Sequence, residues 1–148
     1  MSPFRRVVFD TSTLVSAALR SESVPHQALL RALSICDVCA SAETLAEIET
    51  VLDRSKFDSY LNREERQAFV AAIRRAVHVF AVQDAELVET VRACRDPKDH
   101  KFLALALAAE ADVLVSSDRD LLILHPWRGI PIMIPAEFLT GFSEPATR

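Results

Sequence analysis

Arg5-Arg6-Val7-Val8-Phe9-Asp10-Thr11-Ser12-Thr13 is the stretch whose reading sets the fold. Val7-Val8-Phe9 is β-branched and aromatic and reads as a short buried strand over 5–10. Asp10 closes it, and 13–20 turns helical. The same alternation continues outward. Pro25 opens a helix with Ala28, Leu29, Ala32 and Leu33 on one face. Residues 35–40 read as a second strand. Ser41 caps a helix from Ala42 to about Asp53, with Leu45, Ile48 and Leu52 as its apolar face.

Asn62 caps a helix over 63–77, and 77–82 is a third strand candidate. Residues 84–94 read as helical. Asp96-Pro97 starts a long helix through Glu110, because proline is tolerated in a first turn. Residues 112–116 form a fourth strand and 118–124 a short helix or turn. Residues 130–134 make an edge strand restricted by Pro131 and Pro135, and 135–141 a last short helix. Strands alternating with helices imply parallel pairing with right-handed crossovers. In such open sheets functional residues gather beyond the carboxyl ends of the strands.

Bulk properties narrow the function. A chain of 148 residues, half of it hydrophobic, suits one domain with a packed core, 1–148. No run reaches about 18 apolar residues, and the N-terminal apolar stretch is interrupted by Asp10, so neither a membrane span nor a signal peptide is expected, and the expectation is a cytoplasmic protein. Three cysteines, Cys36, Cys39 and Cys94, imply no disulfide framework. Only two glycines occur, Gly129 and Gly141, so neither a P-loop nor a dinucleotide fingerprint can be assembled. The net charge of −4 argues against metal-free binding to a polyanion.

The acids carry the chemistry. Asp10 ends the first strand, Asp118 follows the fourth, Asp99 lies in the first turn of the preceding helix, and Glu47 flanks the apolar stripe of the helix after the second strand. Each alone has an ordinary reading: Asp10 and Asp96 as helix caps, Asp99 as an acid at a helix N-terminus, Asp118 and Asp120 as turn residues, Glu43 and Glu49 as solvated groups. Together, converging carboxylates repel and need a cation. Mg²⁺ or Mn²⁺ prefers such oxygen ligands, activates water and stabilises phosphoryl charge. It also supplies the positive charge that the composition lacks.

These segments resemble the motifs of PIN-domain nucleases. Val7 to Ala17 is similar to the opening motif, and Leu45-Ala46-Glu47-Ile48 to the second acidic motif. Arg95-Asp96-Pro97-Lys98-Asp99 with Phe102 to Ala106 resembles the third, and Asp112 to Leu122 the fourth. Ile132 to Leu139 fits the closing strand and helix. The nearest subgroup is that of toxin components of type II toxin–antitoxin systems (VapC-like). The resemblance implies a three-layer α/β/α sandwich around a central, mostly parallel sheet of four to five strands. It implies a metal-dependent endoribonuclease using Mg²⁺ or Mn²⁺, with Asp10, Glu47, Asp99 and Asp118 as catalytic metal ligands and Asp120 and Asp96 as auxiliaries. Ser116 would orient the fourth acid. The partners implied are an RNA substrate, a cognate antitoxin protein and a second copy in a homodimer. Ser12 and Ser116 stand where the subgroup often has Asn and Thr, which bears on the positioning around the ligands.

Other signals are weaker. Cys36-Asp37-Val38-Cys39 has no second pair for zinc, and residues three apart on a strand face opposite ways. The four histidines lack metal-motif spacing, although His100 adjoins Asp99. Arg54, Lys56, Lys98, Lys101 and Arg119 could hold phosphates, and Tyr60 and Trp127 could stack on bases. Two competing functions stay open: a non-catalytic PIN-like interaction module, and an acid-nucleophile phosphatase or phosphotransfer domain built on Asp10. Against the latter, Ser12 stands where a haloacid-dehalogenase pattern wants Asp.

Overall fold

The computed structural model describes residues 4–91 and 97–141. Five strands alternate with helices. The strands are β1 (Arg6–Phe9), β2 (Asp37–Ala40), β3 (His78–Val79), β4 (Val113–Val115) and β5 (Ile132–Met133). The helices are α1 (Thr11–Leu19), α2 (Val24–Ile35), α3 (Ala42–Leu52), α4 (Arg63–Ala76), α5 (Asp84–Val91), α6 (Pro97–Ala108), α7 (Arg119–Leu122) and α8 (Pro135–Thr140). Among the described residues these strands all pair in parallel, in the order β3-β2-β1-β4-β5. The expected α/β sandwich is therefore present, with five strands and every one of them parallel.

The layers follow from the period-two alternation of the strands. Val7, Phe9, Val38, Ala40, Val113 and Val115 face α2, α3, α4 and α8 through Ala28, Leu29, Leu45, Ile73 and Phe138. Val8, Cys39, Leu114 and Ile132 face the other way, against Phe102, Leu103, Leu105 and Ala106 of α6. Cys36 and Cys39 thus belong to opposite layers, as the strand spacing requires. Burial pushes the Cys39 thiol up to about 11, which keeps it protonated and unreactive. Cys94 lies outside the described residues.

The chain order explains where a site can form. From β1 the sheet grows through β2 to β3, and then β4 pairs on the other flank of β1. The two connections leave β1 in opposite directions, so its carboxyl end and that of β4 border a crevice. The pairing Phe9↔Val115 and the bond from Asp10 N–H to Val115 O (3.2 Å) set the residues just beyond both strands side by side.

The third strand is shorter than the sequence predicts. After His78 and Val79, Phe80 N–H still donates to Ala40 O (2.8 Å), but the chain then leaves the edge and Phe80 and Val82 turn into the α6 layer. Ser41 and Asn62 cap α3 and α4 as expected, each accepting from a backbone N–H three residues on. The cap of α6 proposed for Asp96 lies outside the described residues.

One charged residue is buried inside this frame. Arg66, 1% exposed, shares the inner face of α4 with Phe69, Val70 and Ile73. Its guanidinium donates to Leu52 O (3.1 Å), to Arg54 O (2.9 Å) and to Asp58. It thereby satisfies carbonyls left over at the end of α3. It also fixes the segment after α3, including a 3-10 turn at Ser55–Phe57. Replacing Arg66 with Ala orphans those carbonyls, and a loss of about 2–4 kcal/mol is expected in denaturant unfolding. A loss below about 0.5 kcal/mol, the range of ordinary surface substitutions, contradicts this role.

Candidate metal centre

A cleft of about 440 Å³ opens at the carboxyl ends of β1 and β4, with Asp10, Glu47, Asp99 and Asp118 all in its lining. Four elements deliver these acids. Asp10 is the residue after β1 and caps α1, its Oδ1 accepting from Thr13 N–H (3.0 Å). Glu47 projects from α3, and Asp99 from the first turn of α6. Asp118 follows β4 and caps α7, accepting from Asp120 N–H (2.9 Å). The ordinary cap reading of Asp10 thus holds together with its place in the cleft, and Asp118, read from the sequence as a turn residue, is a cap as well.

The acids split into two groups. Among the described residues, Asp99, Asp118 and Asp120 each offer a carboxylate oxygen, and these oxygens lie within 4.8 Å of one another. That spacing suits a shared cation with oxygen ligands. Asp120 therefore joins Asp99 and Asp118 more closely than its auxiliary place in the sequence reading implied. Glu47 stands apart. Its Oε1 accepts from Thr11 Oγ1 and its Oε2 from the Lys101 ammonium (3.3 Å). Asp96 lies outside the described residues.

Ser116 ties the pocket together. It is fully buried, donates to Asp10 Oδ2 (2.5 Å) and accepts from Asp118 N–H (2.9 Å). The expectation that it orients the fourth acid is refined: it steers Asp118 through the backbone, while its proton goes to the first acid. Ser12 Oγ lies 3.3 Å from both Asp10 oxygens. Burial pushes the Asp10 carboxyl above the usual carboxylate range, and the donors on Ser116, Thr13 and Ser12 oppose that rise.

The opposite wall is basic and apolar. Arg54 and Lys56 reach the cleft from the segment that Arg66 fixes, together with Phe57, and Lys98 reaches it from α6. Arg119 is exposed and does not line it. Of the two stacking candidates, Tyr60 is 57% exposed, beside Phe57 in a neighbouring groove, while Trp127 is buried in the core at 9%. A further hollow of about 520 Å³ lies between α3 and α4, but its two acids are each paired with an arginine, Asp53 with Arg63 (2.7 Å) and Glu49 with Arg74 (2.5 Å). The chemistry is therefore placed at the strand ends. Sequence reasoning missed Arg66 and Thr11. The first had a signal, a charge set in the apolar stripe of α4; the second had none.

Comparison with known proteins agrees with this geometry. A family model for the PIN domain matches residues 6–120. No curated protein matches the sequence. Among solved structures, PAE2754 from Pyrobaculum aerophilum superposes with a TM-score of 0.65 at 15% identity, over 95% of this chain and 91% of that one. The DNA-bound VapBC from Salmonella typhimurium gives 0.63 at 20%, over 88% and 98%. VapC20 from Mycobacterium tuberculosis, a toxin that cleaves the sarcin–ricin loop, gives 0.57 at 18%, over 80% and 95%. At these identities the structures share the fold, and the family match assigns the chain: it belongs to the PIN-domain family, whose nucleases use divalent metals.

The raised pKa of Asp10 has a measurable sign. The folded chain holds that proton more tightly than the unfolded chain does, so metal-free stability falls as pH rises above about 4, the usual carboxylate value. Asp10→Asn keeps a capping side chain and removes the charge. At pH 7 without metal the variant is expected to melt above wild type, with the gap closing towards pH 4. Excess Mn²⁺ should then raise the melting temperature of wild type more than that of the variant, which keeps Asp99, Asp118 and Asp120 but loses the neighbouring charge. A variant that melts lower than wild type at pH 7 and equally at pH 4 reverses the sign and refutes the assignment.

Proposed function

We propose that this PIN-domain chain is a metal-dependent endoribonuclease, acting as the toxin of a type II toxin–antitoxin pair. The observation that carries the reading is the meeting of Asp99, Asp118 and Asp120 oxygens within 4.8 Å, in the same cleft as buried Asp10. Acids so disposed repel one another unless a cation sits among them. In this reading Asp10, Glu47, Asp99 and Asp118 are the working acids, with Asp120 beside them and Ser12 and Ser116 as their supports. A bound Mg²⁺ or Mn²⁺ supplies an activated water and draws charge from the phosphoryl group.

The chain's own residues do the rest. Arg54, Lys56 and Lys98 line the side of the cleft where phosphates of a strand would pass, which answers the objection raised by the net negative charge. Ser116 keeps Asp10 and Asp118 in register. The phosphatase alternative needs Asp10 as a nucleophile. Asp10 is 3% exposed and both of its oxygens already accept hydrogen bonds, which suits a fixed ligand better than an attacking group.

The antitoxin and the homodimer rest on the fold shared with VapC and VapBC proteins. So does the reading of 1–148 as one PIN unit working in the cytoplasm. Among the described residues, no helix is long and apolar enough to cross a membrane.

Purified protein incubated with total RNA should cleave it with Mn²⁺ or Mg²⁺ and not with a chelator. Asp99→Asn and Asp118→Asn should each lower the rate about 100-fold or more while leaving the fold intact. Ser116→Ala should weaken metal binding or activity by about 10- to 100-fold. Metal-independent cleavage, or full activity in Asp118→Asn, rejects the mechanism.

A further inference from the structure

Lys101 occupies a position that the metal reading leaves unexplained. It lies on α6 two residues after Asp99, and its ammonium reaches across to Glu47 Oε2 (3.3 Å) while donating to Lys98 O (3.0 Å). Both side chains of the pair are about three-quarters buried, at 26% and 24% exposed. Water therefore screens this pair less than an ordinary surface ion pair. Thr11 donates to the other oxygen of Glu47. Both oxygens of Glu47 are thus engaged by donors of the protein, and one donor carries a full positive charge.

We propose that Lys101 is the second cation of this centre: one divalent ion sits among Asp99, Asp118 and Asp120, and the Lys101 ammonium holds Glu47 where a second ion would otherwise bind. The proposal rests on the metal-centre reading above and deepens it. One observation and one electrostatic argument support it besides the acids themselves. The pair is tethered, since the ammonium is fixed to the Lys98 carbonyl as well as to Glu47. A divalent ion on Glu47 would also have to sit beside an ammonium of like charge in a partly desolvated cleft. The ammonium also lies over the Phe102 ring, 5.6 Å from its centroid, a third contact that holds it in place. Lys101 is then a charge-supplying residue of the site, and Glu47 acts through it instead of holding metal directly.

Counting ions tests this without reference to activity. Mn²⁺ binding is titrated at neutral pH, with free ion read by electron paramagnetic resonance, on wild type, Lys101→Met, Lys101→Gln and Lys101→Arg. Wild type and Lys101→Arg should take one ion per chain. Lys101→Met and Lys101→Gln should take two, the additional ion being lost again in the double variant with Glu47→Gln. Using two neutral variants guards against one that fails to fold, and circular dichroism identifies such a case. Two ions in wild type, or one ion in both neutral variants, overturns the proposal and leaves the nuclease reading standing. No ion in wild type overturns the metal centre and this proposal together.

Discussion

Like charges held together by strand pairing are the constraint on which this structure depends. The β1–β4 register sets Asp10 beside Ser116 and, through it, beside Asp118, although 106 residues separate Asp10 from Ser116 in the chain. The first turn of α6 then adds Asp99, and the turn into α7 adds Asp120. Two full charges about 5 Å apart near a protein surface repel by roughly 3 kcal/mol before salt screening. A cation among them turns the same geometry from a liability into a source of stability.

The fold tolerates this because the acids have structural duties too. Asp10 caps α1 and Asp118 caps α7, so each compensates a helix N-terminus with part of its charge. Burial still works against Asp10, and the hydroxyls of Ser116 and Ser12 and the Thr13 N–H are the local compensation. Glu47 is balanced differently, by an ammonium from α6 and a hydroxyl from α1. The opposite wall depends on Arg66, whose buried guanidinium holds the segment bearing Arg54, Lys56 and Phe57 against α3. Core packing, helix capping and the candidate chemistry thus draw on a common set of side chains.

Much of this was legible in the sequence for local reasons. The apolar runs Val7–Phe9 and Val113–Val115 end in polar turns that carry acids, and strand–helix alternation permits only a parallel sheet whose crevice gathers those ends. Ser41 and Asn62 announced their helices by cap chemistry. What the sequence withheld is long-range. The Lys101–Glu47 pair joins residues 54 apart on different helices, and either could equally have faced solvent. The closeness of Asp120 to Asp99 depends on the tilt of a four-residue helix. The third strand ended early because an edge strand with one neighbour is set by where Phe80 and Val82 can be buried, not by β propensity.

The most direct test is the anomalous scattering of manganese in a crystal grown with Mn²⁺. A peak bridging carboxylate oxygens of Asp99 and Asp118, within ligand distance of Asp120 or Asp10, is the predicted result. Manganese bound elsewhere, with those carboxylates turned away from one another, would contradict the account.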